Sequence, residues 1–139
     1  MNKPSLLVSD ATLNNSNKVF TVPANKRWQI TSVRAILTST ATAGNRQIQV
    51  SCSDGGTFSL VVNAGVVQAA SLTRDYTFAA GLADLTAFRN TQFLTNPLPV
   101  PEAMVFNAGS TVRVLDAAVV DAAADDMTVL VYGYEEAAP

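Results

Sequence analysis

The sequence predicts an all-β chain, a single antiparallel β-sandwich of jelly-roll type. Two observations predict it. Short runs of alternating apolar and polar residues recur along the chain, and clusters of Gly, Asn, Asp and Pro separate them at near-regular spacing. Counting the runs yields about eight or nine strands with no internal repeat and no boundary between domains.

Taken in order, residues 1–17 are rich in Asn and Ser and hold one apolar triplet, Leu6, Leu7 and Val8. This composition predicts an N-terminal arm that orders on a partner, preceding a sandwich domain over residues 18–139. Lys18 to Val22 is a short β-rich run ended by the turn Pro23, Ala24, Asn25. The longest strand candidate, Arg27 to Thr38, carries a parity conflict. Trp28 and Ile30 share one face, whereas Val33, Ala35 and Leu37 have the opposite parity, so one face holds both sets only with a bulge near Thr31 or Ser32.

The turn Thr42 to Asn45 leads into Arg46 to Ser53, where Ile48, Val50 and Cys52 alternate with polar residues. Asp54, Gly55 and Gly56 supply a tight hairpin turn, and Phe58, Leu60 and Val62 share one face of the returning strand. Further strands are expected at Val66 to Ala69 and at Thr73 to Ala79, the latter with Tyr76 and Phe78. Leu82, Leu85 and Phe88 lie three apart, which fits a short helical turn or an irregular loop. Asn96 to Pro101, with three prolines, is extended and sits at a sheet edge or a crossing between sheets. A run from Ala103 to Phe106, a turn at Asn107 to Ser110, and Thr111 to Leu115 follow. The alternation of Met127, Val129 and Val131 marks the final strand.

Composition narrows the function. The chain has 139 residues, no His, one Cys and a formal net charge of −2. Without His the commonest general base and metal ligand is missing, and one Cys makes neither an internal disulfide nor a cysteine zinc cage. A non-catalytic protein without cofactors is expected. Six Arg and three Lys are scattered in a slightly acidic chain, which argues against nucleic-acid binding. No apolar span has the length of a membrane helix, and Leu6 to Val8 is too brief for a secretory segment, so synthesis in a cytoplasm is expected. Charged residues make up only 14%, below the usual quarter, which suits a subunit that sits against other subunits.

The candidate sites each have a plain structural explanation beside the functional one. Cys52 is in register with Ile48 and Val50, as a buried thiol would be. Asp116, Asp121, Asp125 and Asp126 form a solvated acidic loop or gather around Ca²⁺, but their order does not match an EF-hand. Asp54 with Glu102 or Asp75 is a nominal glycosidase pair of the kind any chain with eleven acids contains. Trp28 with Tyr132 and Tyr134 makes a sugar-stacking platform, or Trp28 is a packing anchor. Arg74, Asp75 and Tyr76 interrupt a neutral region and form a subunit contact or an exposed ion pair. Ala117 to Ala124 offers small side chains around Val119 and Val120, expected at an oligomer or capsid interface, with a short helical turn as the alternative.

The stretch Val22 to Trp28, then Ser32 to Arg34 and Thr42 to Arg46, is similar to a recurrent pattern in small virion proteins of tailed bacteriophages. Gln68 to Thr73, Arg113 to Ala118 and Asp121 to Thr128 extend the similarity across roughly Phe20 to Val131. The resemblance implies a virion structural protein and transfers no catalytic residue. For a β-sandwich of this length it implies a capsid decoration or cement protein, a trimer on the capsid surface that bridges subunits of the major capsid protein. Interface residues expected on this basis are Leu6, Leu7, Val8, Arg74, Asp75, Tyr76, Val119 and Val120. A tail, baseplate or head-tail connector component is the alternative within the same class, and a carbohydrate-binding module is the alternative outside it.

Overall fold

A computed structural model describes residues 3–56, 59–81, 93–97 and 105–139. These form ten strands: β1 (Ser5–Asp10), β2 (Asn17–Thr21), β3 (Lys26–Thr38), β4 (Ile48–Ser53), β5 (Ser59–Asn63), β6 (Thr73–Ala79), β7 (Phe93–Pro97), β8 (Phe106–Asn107), β9 (Thr111–Asp116) and β10 (Asp126–Ala137). One sheet has the order β1-β10-β3-β6-β7, with β8 also on β3, and the other has the order β2-β9-β4-β5. Among the described residues every strand pairing is antiparallel except β6 with β7.

The pairs β1·β10, β2·β9, β3·β6 and β4·β5 nest one inside the next along the chain. A doubled chain wrapped in this way gives two four-stranded Greek-key layers, the jelly roll, to which β7 and β8 are additions between β6 and β9. The loops β1–β2, β3–β4, β5–β6 and β9–β10 therefore collect at one end of the sandwich.

Alternation places the core. Met127, Val129 and Val131 of β10, Ile48, Val50 and Cys52 of β4, Val112 and Val114 of β9, and Tyr76 and Phe78 of β6 all point between the sheets and are buried. Trp28 and Ile30 lie on this face together with Val33, Ala35 and Leu37. The register shows how: Tyr132 pairs with Ser32 but Gly133 pairs with Ile30, so Thr31 is the extra residue of a bulge. Opposite it, Gly133 lies so close to β3 that a side chain there would overlap the Gln29 carbonyl.

Two expectations are corrected. Residues 5–10, assigned above to an arm, form an edge strand paired with β10 of the same chain. A register shift between Leu6 and Val8 lets Leu7 and Val8 both pack on the core while Leu6 stays exposed, so a short apolar triplet suffices to anchor the strand. Val66 to Ala69 is not a strand but a single bridge, in which the Gln68 backbone exchanges both hydrogen bonds with Arg46, while the buried Gln68 side-chain amide donates to the Leu37 and Leu72 carbonyls. Phe58, Leu82, Leu85, Phe88, residues 98–101 and Ala103 lie outside the described residues; Asn96 and Pro97 belong to β7, at the edge of its sheet.

Candidate interaction surface

The loop end is built on buried polar contacts. Arg46 and Asp125 are both fully removed from solvent and pair side by side, Nε to Oδ2 at 2.8 Å and Nη2 to Oδ1 at 3.1 Å. The remaining guanidinium donors reach the Thr42 and Gly44 carbonyls and the Thr40 hydroxyl, at 2.8, 2.9 and 3.2 Å. Asp125 Oδ1 also accepts the Thr40 amide at 2.8 Å. A buried charge pair is tolerated only when its hydrogen bonds are satisfied, and here all five guanidinium N–H groups have acceptors.

Beside it, Asp116 holds two loops at once. Its Oδ1 accepts the amides of Gln47 and Ala118 at 2.8 and 2.9 Å, and its Oδ2 accepts that of Val120 at 2.9 Å. Val120 in turn packs against Gly44, where any side chain would collide with it. The buried Gln68 amide donates to the Leu37 and Leu72 carbonyls, and its oxygen accepts the Tyr76 hydroxyl at 2.9 Å. Asp121 accepts the Thr40 and Thr42 hydroxyls at 2.6 and 2.8 Å, which hold its carboxyl below the usual range, and Asp126 accepts the Asn14 amide at 2.7 Å.

The four aspartates thus do not act as one group, since Asp121 and Asp126 are half-buried at the surface while the other two lie inside. Each faces a different set of donors, and Asp116 and Asp125 are buried. No group of His, Cys, Asp or Glu among the described residues is arranged to hold a metal.

With Lys18, Arg46, Asp116 and Asp125 buried, the loop end shows apolar side chains outward: Leu13 and Val119, 65% and 67% exposed, with Val67 and Leu72 less so. Val119 is the most unusual of them. It sits at φ 52°, a left-handed conformation that a β-branched residue adopts only under constraint. The constraint is visible, because Asp116 binds the amide on either side of it and the Asp116 carbonyl accepts the Val119 amide at 3.2 Å.

The other expected interface residues fare differently. Arg74, Asp75 and Tyr76 are neighbours in sequence on a strand, so alternation sends them to opposite faces. Tyr76 is buried in the core and cannot meet a partner. Asp75 lies on the outer face of its sheet but is itself buried, and pairs with Arg34 of β3, Nη2 to Oδ2 at 2.5 Å, rather than with Arg74. Arg74 donates to the Val67 carbonyl at 2.6 Å, tying β6 to the loop end. Leu6 is exposed opposite Tyr132, whereas Leu7 and Val8 are half-buried. Of the pair 119–120, Val119 is the exposed one, whereas Val120 is half-buried against Gly44.

At the opposite end a cleft of about 180 Å³ is lined by Arg27, Trp28, Gln29, Val105, Tyr134, Glu135 and Glu136. Trp28 is only 2% exposed and donates its indole N–H to Glu135 Oε2 at 2.9 Å, so it is a packing anchor and offers no open ring face to a sugar. That bond, with Lys26 at 3.2 Å, keeps the Glu135 carboxyl below its ordinary range, and Glu136 pairs with Arg27 at 2.7 Å. Burial pushes the Cys52 thiol up to about 11, leaving it protonated and unreactive at neutral pH. Asp54 caps its own turn by accepting the Gly56 amide, Asp75 is taken by Arg34, and Glu102 lies outside the described residues.

Sequence reasoning missed the Arg46–Asp125 pair and the Asp116 staple, since partners 79 and 69 positions apart leave no local pattern. No protein-family model matches the chain, and no curated protein matches it either.

Proposed function

We propose that this chain is a non-catalytic virion structural subunit of the capsid-decoration type, in which the loop end seats on a shell of major capsid protein. The observation that carries the reading is the combination of loops cross-bonded by the buried Arg46, Asp116 and Asp125 with outward Leu13, Val67, Leu72 and Val119. A surface that is apolar and already ordered loses little conformational entropy on docking, and repeated over many copies such modest contacts sum to firm attachment. A sandwich whose loop end is cross-braced by buried polar bonds also resists deformation there, as a cement subunit on a pressurised shell must. The trimer and the bridging of capsid subunits implied by the phage resemblance belong to the same proposal.

Co-sedimentation with undecorated phage capsids, and separately with tails, tests it. Retention on capsids supports cementing, retention on tails alone moves the protein to the tail or connector, and retention on neither removes the reading.

A further inference from the structure

We infer that β5 is a homotypic contact strand, pairing antiparallel with β5 of a second copy about a two-fold axis through Val61. This inference stands apart from the shell reading.

An edge strand carries unpaired backbone donors and acceptors, and proteins blunt such edges with bulges, inward charges, proline or extreme shortness. The other described edges carry these devices. β1 has the bulge at Leu7, β2 points the fully buried Lys18 inward, β7 ends in Pro97, and β8 is two residues long. β5, Ser-Leu-Val-Val-Asn, has no charge, no proline and no register shift against β4. Among the described residues nothing pairs with its outer edge.

The hydrogen-bonding parity is set by the Ala64 amide, which donates to the Ile48 carbonyl of β4 at 2.8 Å. Alternation then directs the backbone groups of residues 60 and 62 toward β4 and those of 59, 61 and 63 outward. Two copies related by a two-fold through Val61 bring Val61 opposite itself and residue 59 opposite residue 63. All outward donors and acceptors then find partners. The same operation sets the half-buried Leu60 beside Val62 of the other copy, closing the open side of the core, and joins the 51%-exposed Val61 side chains on the outer face. Because the strand's polarity is symmetric about Val61 and the other edges are blocked, the fitting occupant is a second β5.

The test combines solution mass with cross-linking. Wild-type protein is expected to scatter as an even number of chains, and Val61→Lys, which places two ammonium groups face to face, is expected to halve that mass. Val61→Thr keeps the strand uncharged and serves as the folded control. Under mild oxidation, Val61→Cys is expected to form a covalent dimer at least about tenfold faster than Val19→Cys, a similarly exposed position on the blocked β2 edge, because pairing holds the thiols together. A wild-type mass of one chain or of any other odd number of chains, a trimer included, overturns the inference, as does an unchanged mass in folded Val61→Lys, or equal cross-linking at the two positions. If Val61→Lys does not fold, the cross-linking ratio decides alone. Capsid retention is scored separately: copies that bind shells without pairing overturn this inference only, and pairs that ignore shells overturn the shell reading only.

Discussion

The Arg46 guanidinium and the Asp125 carboxylate lie in parallel contact, at 2.8 and 3.1 Å, with no solvent exposure on either side chain. Through them the β3–β4 and β9–β10 loops become one braced unit, and Arg46 also pairs its backbone with Gln68 of the β5–β6 loop. Asp125→Ala strands a buried guanidinium and the Thr40 amide, so a loss of about 3–5 kcal/mol is expected in urea unfolding. A loss below about 1 kcal/mol would mean that water reaches the pair.

Asp10 carries a pH dependence. Its Oδ1 accepts the Thr12 amide and meets the buried Lys18 ammonium at 3.0 Å, and these contacts, the Thr12 bond foremost, lower its pKa from 3.8 to about 2. A depressed carboxylate stabilises the fold above its unfolded pKa, and that contribution is lost as pH falls through the folded value. Melting temperature is therefore expected to drop between about pH 4 and pH 2, with a shallower drop in Asp10→Asn. Parallel profiles for the two proteins would contradict the assignment.

Gly133→Ala tests the bulge. The added methyl meets the Gln29 carbonyl, and β10 and β3 cannot separate there without breaking their ladder. A destabilisation of about 3 kcal/mol or more is expected from thermal unfolding, the upper range for an overpacked site.

Cys52 reports on the closure of the sandwich. Buried and held protonated, it is expected to resist alkylation by iodoacetamide in the native protein at pH 8 and to react fully in urea. Labelling of the native protein at the rate of a free thiol would show that the sheets part readily.

Val119 separates stability from function. Replacing it with Gly relieves the left-handed strain, so Val119→Gly is expected to gain about 1 kcal/mol in unfolding while weakening attachment to shells. A mutant that is more stable and binds equally well would mean that the exposed valine has no part in docking.

Much of the architecture is readable from the chain because it depends on local alternation. The parity conflict between Ile30 and Val33 calls for a bulge near Thr31 or Ser32 without any knowledge of the partner strand, and the register puts it at Thr31; Gly55 at φ 85° and Gly109 at φ 87° sit in turns marked by their glycines. The proposed contact surface is far less readable. Arg74, Asp75 and Tyr76 look like one cluster in sequence and are split by the pleat, while the residues that brace the loops come from distant segments. In sequence Val119 is marked only by its small neighbours, whereas its left-handed strain follows from Asp116, which no periodicity connects to it.

The central claim is that the loop end docks on an assembled shell. The most direct measurement is co-sedimentation of folded wild-type and Val119→Asp proteins with undecorated phage capsids. Saturable binding of the wild type, weakened at least about tenfold by the buried charge in Val119→Asp at unchanged melting temperature, is the predicted result. Wild-type protein that remains in the supernatant, or a variant that binds as tightly, would contradict it.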